Sequence, residues 1–199
     1  QGDATVAADL GDFGTFSIGV WYNLDLDNSG ELISGHVSEV DYTFAWEKSF
    51  EDFTLGAGYI VYDFPGTNDE TREVYVSFGL RTLLSPTITA YYDVEDHDAL
   101  YVEFGILHKF DLGILDSTLE LGATLGWGDD DTIEKTFAGD SGDKSGFNNA
   151  SLTASWNIPL GDYASLTPFV TYTTLIEQGR DNGNENDHLF AGLSVGIEF

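Results

Sequence analysis

Apolar and polar residues alternate with a period of two along most of the chain. Leu119, Leu121, Ala123, Leu125 and Trp127 are interleaved with Thr118, Glu120, Gly122, Thr124 and Gly126. Ala150, Leu152, Ala154, Trp156 and Ile158 are interleaved with Ser151, Thr153, Ser155 and Asn157, and Leu189, Ala191, Leu193, Val195, Ile197 and Phe199 with Phe190, Gly192, Ser194, Gly196 and Glu198. Successive side chains of a strand point to opposite faces, so this spacing predicts strands with one apolar and one polar face; helical i, i+3, i+4 stripes are absent. Similar segments fall at 4–10, 13–25, 37–47, 53–63, 72–82, 87–95 and 99–110, and 165–176 is β-like with an ambiguous facing. Together they make eleven candidate strands, most near the ~9–11 residues that cross a bilayer when tilted.

The connections alternate in length. Short ones lie at 11–12, 48–52, 83–86, 111–117 and 159–164; generally longer, more acidic ones lie at 25–36, 64–71, 95–98, 128–147 and 177–188. Short turns on one rim and long loops on the other are the arrangement of an outer-membrane barrel. The expected fold is therefore all-β: a transmembrane antiparallel up-and-down β-barrel. Bacterial single-chain barrels have even strand numbers, which predicts about 12 strands, 10–12 within or just beyond this chain. No linker or composition break divides it, so residues 1–199 are read as one barrel domain.

Alternation by itself does not say which face is outside, since a soluble sandwich or lipocalin-like barrel turns its apolar face inward. Two features favour an apolar exterior. The polar face is crowded with Gly, Ser, Thr and carboxylates, with Tyr75 and Tyr101 among them. The apolar-face aromatics gather near strand ends, with Phe13, Phe16, Trp46, Phe53, Phe110, Trp156 and Phe199 toward the short turns and Tyr22, Tyr92 and Trp127 toward the long loops. Two such girdles are what headgroup regions select.

Composition narrows the function. The chain has 35 acids against 7 bases, a formal charge of −28. Phosphate contacts need Lys and Arg, so a nucleic-acid binder working through its own basic surface is excluded, as is peripheral attachment to anionic lipid. Cysteine is absent, which removes disulfides and thiolate metal sites. No stretch approaches the ~18 apolar residues of a membrane-spanning helix. The chain opens at Gln1 without a charged n-region or an apolar h-region, so any leader is expected to have been removed.

The last strand, Leu189 to Phe199 with its terminal Phe199, resembles the C-terminal signal strand of bacterial outer-membrane proteins. That resemblance implies recognition by the barrel-assembly machinery and a Gram-negative outer membrane with lipid and lipopolysaccharide around the barrel. Phe199 and the short turns would then be periplasmic and the acidic loops extracellular. More broadly, Phe13-Gly-Thr-Phe-Ser-Ile-Gly-Val-Trp21, Glu39-Val-Asp-Tyr42, Glu73-Val-Tyr-Val76, Tyr91-Tyr-Asp-Val94, Leu100-Tyr-Val-Glu-Phe-Gly105 and Leu119-Glu-Leu-Gly-Ala-Thr-Leu-Gly-Trp127 resemble the uncharacterised Gcw-chp family of outer-membrane barrels. The Trp-Arg-Gly-like corner usual near that family's N-terminal strand has no counterpart here.

An outward apolar face turns Asp41, Glu47, Glu73, Asp93, Glu103, Glu120 and Glu198 toward the lumen, opposed mainly by Arg81 and Lys109. Such charges select ions in water-filled barrels, so the expected function is a porin-like channel for small solutes with cation preference. Polar-face glycines at 56, 58, 79, 105, 122, 192 and 196 remove bulk from that lumen. The alternative is a plugged structural or adhesive barrel whose outer loops bind divalent ions or a partner. In the first long loop, Asp25, Asp27, Ser29 and Glu31, with Gly30, have the spacing of a calcium loop, although its twelfth position is His36 where an EF-hand needs Glu. Asp129, Asp130 and Asp131, with Asp140 and Asp143, form a looser acidic cluster. No nucleophile stands beside a base, so no enzymatic activity is expected.

Overall fold

A computed structural model describes residues 1–27, 34–95, 98–136, 144–179 and 186–198. It is all-β apart from one short helix and two single 3₁₀ turns. The strands are β1 (Gly2–Asp9), β2 (Thr15–Asp27), β3 (Ser34–Ser49), β4 (Phe53–Phe64), β5 (Asp69–Leu80), β6 (Thr87–Asp93), β7 (Leu100–Asp111), β8 (Thr118–Gly128), β9 (Gly146–Pro159), β10 (Ala164–Leu175) and β11 (Asp187–Ile197). They form one antiparallel sheet in sequence order, β1 through β11. All eleven expected strands are present, several longer than their periodic segments.

The helix, α1 (Asp130–Thr136), falls in the longest acidic connection, where alternation predicts no element. Asp129 caps it by accepting the Thr132 N–H at 2.9 Å, and Asp130 and Asp131 lie in its first turn, where the helix dipole favours negative charge.

The sheet divides into two compact units: Gln1–Phe78 with Thr89–Leu100, and Gly79–Ile88 with Tyr101–Phe199. In the first unit, the pairs Thr5↔Gly19, Gly19↔Thr43 and Thr43↔Ile60 set the polar-side register. The other side carries Ile18, Phe44 and Val76, the last 61% exposed. The turn joining β1 to β2 is held from β3: Trp46 Nε1 donates to the Phe13 carbonyl at 2.7 Å and Lys48 Nζ to the Asp12 carbonyl at 2.5 Å. Gly14 closes that turn at φ 87°, and a Cβ there would lie 2.3 Å from the Glu47 carbonyl oxygen, so only glycine fits.

In the second unit, Gly105↔Thr124, Thr124↔Ser151 and Ser151↔Thr173 set the polar side. The facing of β10, ambiguous in the sequence, is fixed by cross-strand pairs: Thr167, Phe169, Thr171 and Thr173 share the polar side, while Val170 and Tyr172 are exposed on the other. Leu152, Leu193 and Val195 are exposed there too, Leu193 at 63%.

Among the described residues one hydrophobic side chain is fully buried, Ile133 of α1. Burying a Leu or Ile is worth about 2 kcal/mol. Both units nevertheless leave their apolar rows uncovered, which a water-soluble sandwich does not do.

Candidate functional site

The polar side of the first unit gathers carboxylates and tyrosines. Cross-strand pairing sets Asp41 of β3 opposite Tyr62 of β4. The Tyr62 hydroxyl donates to Glu73 Oε2 at 2.8 Å, and Thr71 Oγ1 donates to Asp93 Oδ2 at 2.6 Å. Asp93 is buried, and its Oδ1 accepts the Glu95 N–H at 2.9 Å. Asp41 Oδ1 is buried without a hydrogen-bond partner. Neither Asp41 nor Glu73 has an ion-pair partner among the described residues. The nearest base in sequence, Arg72, points to the opposite side because it adjoins Glu73 on the strand, and it is held there by Glu70 and, at 2.9 Å, by Glu95. Glu47 shares the polar side, opposite Thr15 and Gly56.

The second unit differs. Hydroxyls form a ladder across β9 and β10: Ser151 with Thr173 at 2.9 Å, Thr153 with Thr171 at 3.0 Å, and Asn157 Nδ2 donating to Thr167 Oγ1 at 3.1 Å. Lys109 and Glu120, directly opposite in register, are ion-paired at 2.5 Å. Glu103 is half-buried, with no partner among the described residues. Arg81 follows β5, and Glu198 follows β11, its N–H donating to the Tyr163 carbonyl at 2.9 Å. Phe199 lies outside the described residues.

The polar-side glycines do more than remove bulk. A Cβ at Gly58 would lie 2.3 Å from the Tyr75 ring, and one at Gly192 would lie 2.4 Å from the Phe169 ring. Tyr75 and Phe169 therefore lie down against the wall because the neighbouring strand offers no side chain. Tyr75 in turn packs against Tyr91, with centroids 5.6 Å apart. Gly122 is looser, since a Cβ there would come no closer than 3.5 Å, to a Leu107 methyl.

Parts of two long connections lie over the polar side where β8 ends and β9 begins. The register shift at Gly126/Trp127 makes Asn148 a bulged residue. Its carbonyl accepts the Ile176 N–H at 2.9 Å, and its fully buried amide has no partner for Oδ1 or Nδ2. Thr132 of α1 packs over Gly128, and Gln178 of the 3₁₀ turn Glu177–Gly179 over Gly146.

The acids are legible in the sequence and their donors are not. Tyr62 and Thr71 were legible only as positions sharing parity with Gly58 and Glu73, and the Asn148 bulge left no periodic trace. For the calcium reading, β2 runs extended through Asp25 to Asp27 and pairs Asp25 with His36. Asn23 Nδ2 donates to Asp25 Oδ1 at 2.9 Å, and His36 Nε2 lies 3.9 Å from Asp25 Oδ2. Ser29, Gly30, Glu31 and the Asp27 side chain lie outside the described residues. Asp129, Asp130 and Asp131 bring carboxylate oxygens within 4.8 Å of one another at the start of α1, while Asp140 and Asp143 lie outside the description. Compared with known proteins, the chain matches no family model and no curated protein.

Proposed function

We propose that this chain forms an integral outer-membrane β-barrel whose polar face lines a passage for small solutes, with cations preferred. The observation that carries the reading is the inverted amphipathicity. Uncovered rows such as Ile18, Val76, Leu152 and Leu193 need an apolar solvent, while the opposite side of the sheet holds Asp41, Glu73, Glu103 and a hydroxyl ladder. Lipid tails supply the first and a water-filled lumen the second. Eleven is odd, and an up-and-down ring antiparallel throughout needs an even number, so the proposed barrel has about twelve strands. The short turns are assigned to the periplasm and the acidic connections to the cell exterior, in line with the C-terminal signal strand and the Gcw-chp resemblance.

Cation preference follows from charge balance. Among the described residues Asp41, Glu73 and Glu103 have no ion-pair partner, and Lys109 is offset by Glu120. Fixed carboxylates on a narrow wall act at short range, where little water screens them. In planar bilayers the folded protein should conduct, and in a KCl gradient its reversal potential should indicate cation preference; anion preference would overturn the lumen assignment.

A plugged, structural barrel is the second reading, favoured by α1 and Glu177–Gly179 lying over the polar side of β8 and β9. Absence of conductance at every voltage would select it, and the acidic outer connections would then be its binding surface for divalent ions or a partner.

A further inference from the structure

The polar side of β7, β8 and β9, with residues 85–87, encloses an open groove of about 350 Å³. That volume lies at the small end of the range for small-molecule sites. Its floor is built from glycine: Gly105 follows Glu103 on the same side of β7, and Gly122 lies opposite Leu107. Thr87 reaches the wall only because position 105 lacks a side chain, since a Cβ there would lie 2.6 Å from Thr87 Oγ1. Thr124 and Ser151 complete the groove from β8 and β9.

Among the described residues the carboxylate in this groove has no ion-pair partner. Glu103 is half-buried and has no hydrogen-bond or ion-pair partner among the described residues. Lys109, the base on the same strand, is committed to Glu120 at 2.5 Å. It sits six residues away, roughly 20 Å at ~3.4 Å per residue, beyond the ~8 Å screening length of physiological salt. A half-buried carboxylate without a donor is costly. Around it, hydroxyl oxygens of Thr87, Thr124 and Ser151 offer further acceptors. Next to these acceptors is an aliphatic stretch, a Leu107 methyl that lies 3.5 Å from where a Cβ on Gly122 would be.

One carboxylate, several hydroxyl acceptors and an adjoining aliphatic wall complement a cation that is rich in donors and carries methylenes. We propose that this groove is a recognition subsite for primary alkylammonium solutes. The ammonium sits on Glu103, its remaining N–H groups on the hydroxyls, and its methylenes run along Leu107 and Gly122. The inference deepens the function proposed above and rests on the polar side being the water-filled one.

Calorimetric titration of the full chain folded in detergent tests it, using n-butylamine and 1,4-diaminobutane at low salt, with KCl and glycerol as comparison solutes. Both amines should bind, and Glu103→Gln should weaken them at least tenfold, whereas Glu120→Gln should not. Rising KCl should weaken amine binding. Equal affinity in Glu103→Gln, heat with glycerol but not with amines, or no heat at all would overturn the proposal. Should Glu103→Gln fail to fold, as judged by circular dichroism and heat-dependent gel migration, Glu103→Asp takes its place: it keeps the charge but withdraws it by one methylene, and unchanged affinity would overturn the proposal. The titration needs no conductance. Amine binding at Glu103 without a current removes the channel and keeps the subsite; a cation-selective current without amine binding does the reverse.

Discussion

The two units of the sheet share one alternating pattern and place different chemistry on its polar side. The first sets Asp41, Glu73 and Asp93 among Tyr62, Thr71, Tyr75 and Tyr91. The second sets a neutral ladder of Ser151, Thr153, Thr171 and Thr173 beside Glu103, which has no ion-pair partner among the described residues. Charge acts over many ångströms and ranks ions by sign; hydroxyls act within about 3 Å and recognise shape and donor placement. In the proposed barrel the first unit would therefore set ionic preference and the second would set which solutes linger. The difference also shows that an alternating sheet keeps its two faces separable, because polar-side residues can change without disturbing the apolar rows.

The largest expected effect comes from removing the uncompensated acids. Asp41→Asn combined with Glu73→Gln should carry the reversal potential in a KCl gradient most of the way to zero. Removing Lys109 and Glu120 together, as Lys109→Gln with Glu120→Gln, should leave it nearly unchanged, because those charges already cancel across 2.5 Å. A comparable loss of selectivity in the two double variants would erase the contrast between the units.

Glycine substitutions sharpen the same contrast in stability. Gly58→Ala places a Cβ 2.3 Å from the Tyr75 ring and 2.7 Å from the Phe44 carbonyl oxygen. It should cost about 1–3 kcal/mol through overpacking, seen as a lower denaturant midpoint in detergent. Gly122→Ala meets nothing closer than 3.5 Å, and by restricting the unfolded chain it should be neutral or slightly stabilising, by about 0.4–1 kcal/mol. Equal costs would mean that Tyr75 does not lie on the wall.

The hydroxyl ladder should respond more mildly. Thr153→Val leaves Thr171 without its 3.0 Å partner and should cost about 1 kcal/mol. Adding Thr171→Val should cost little more, since the second hydroxyl is then no longer stranded. A fully additive pair would show that the two hydroxyls do not interact.

The smallest effect is expected at the first long connection. Weak Ca²⁺ binding by the folded protein should fall when Asp25→Ala removes the carboxylate held between Asn23 and His36. Heats unchanged by that substitution would leave this connection merely acidic.

Much of the sheet was legible in the sequence because side-chain direction along a strand is a local property. Leu119 to Trp127 announce both a strand and its two faces from spacing alone, and Glu73, Glu103 and Glu120 are assigned to the polar side by their immediate neighbours. Segment 165–176 was unreadable for the same reason: Phe169 shares the polar side with Thr167 and Thr171, and its ring is accommodated by Gly192 on another strand. α1 was invisible because seven residues carry too little periodicity, and its stability comes from the Asp129 cap and the burial of Ile133.

The sequence by itself determined the strands, their alternation, the grouping of acids on one side and the segregation of connection lengths, since each depends on residues a few positions apart. The packing of strand on strand sets what each polar-side group meets: Lys109 on Glu120, Tyr62 on Glu73 and Tyr75 over Gly58, while Glu103 has no partner among the described residues. Those outcomes depend on register between strands, and a shift of one residue would turn every side chain to the other face. Register is set cooperatively by the packed sheet and by the bulges at Asn23/Leu24 and Asn148, so it is a property of neighbouring strands and not of any one of them.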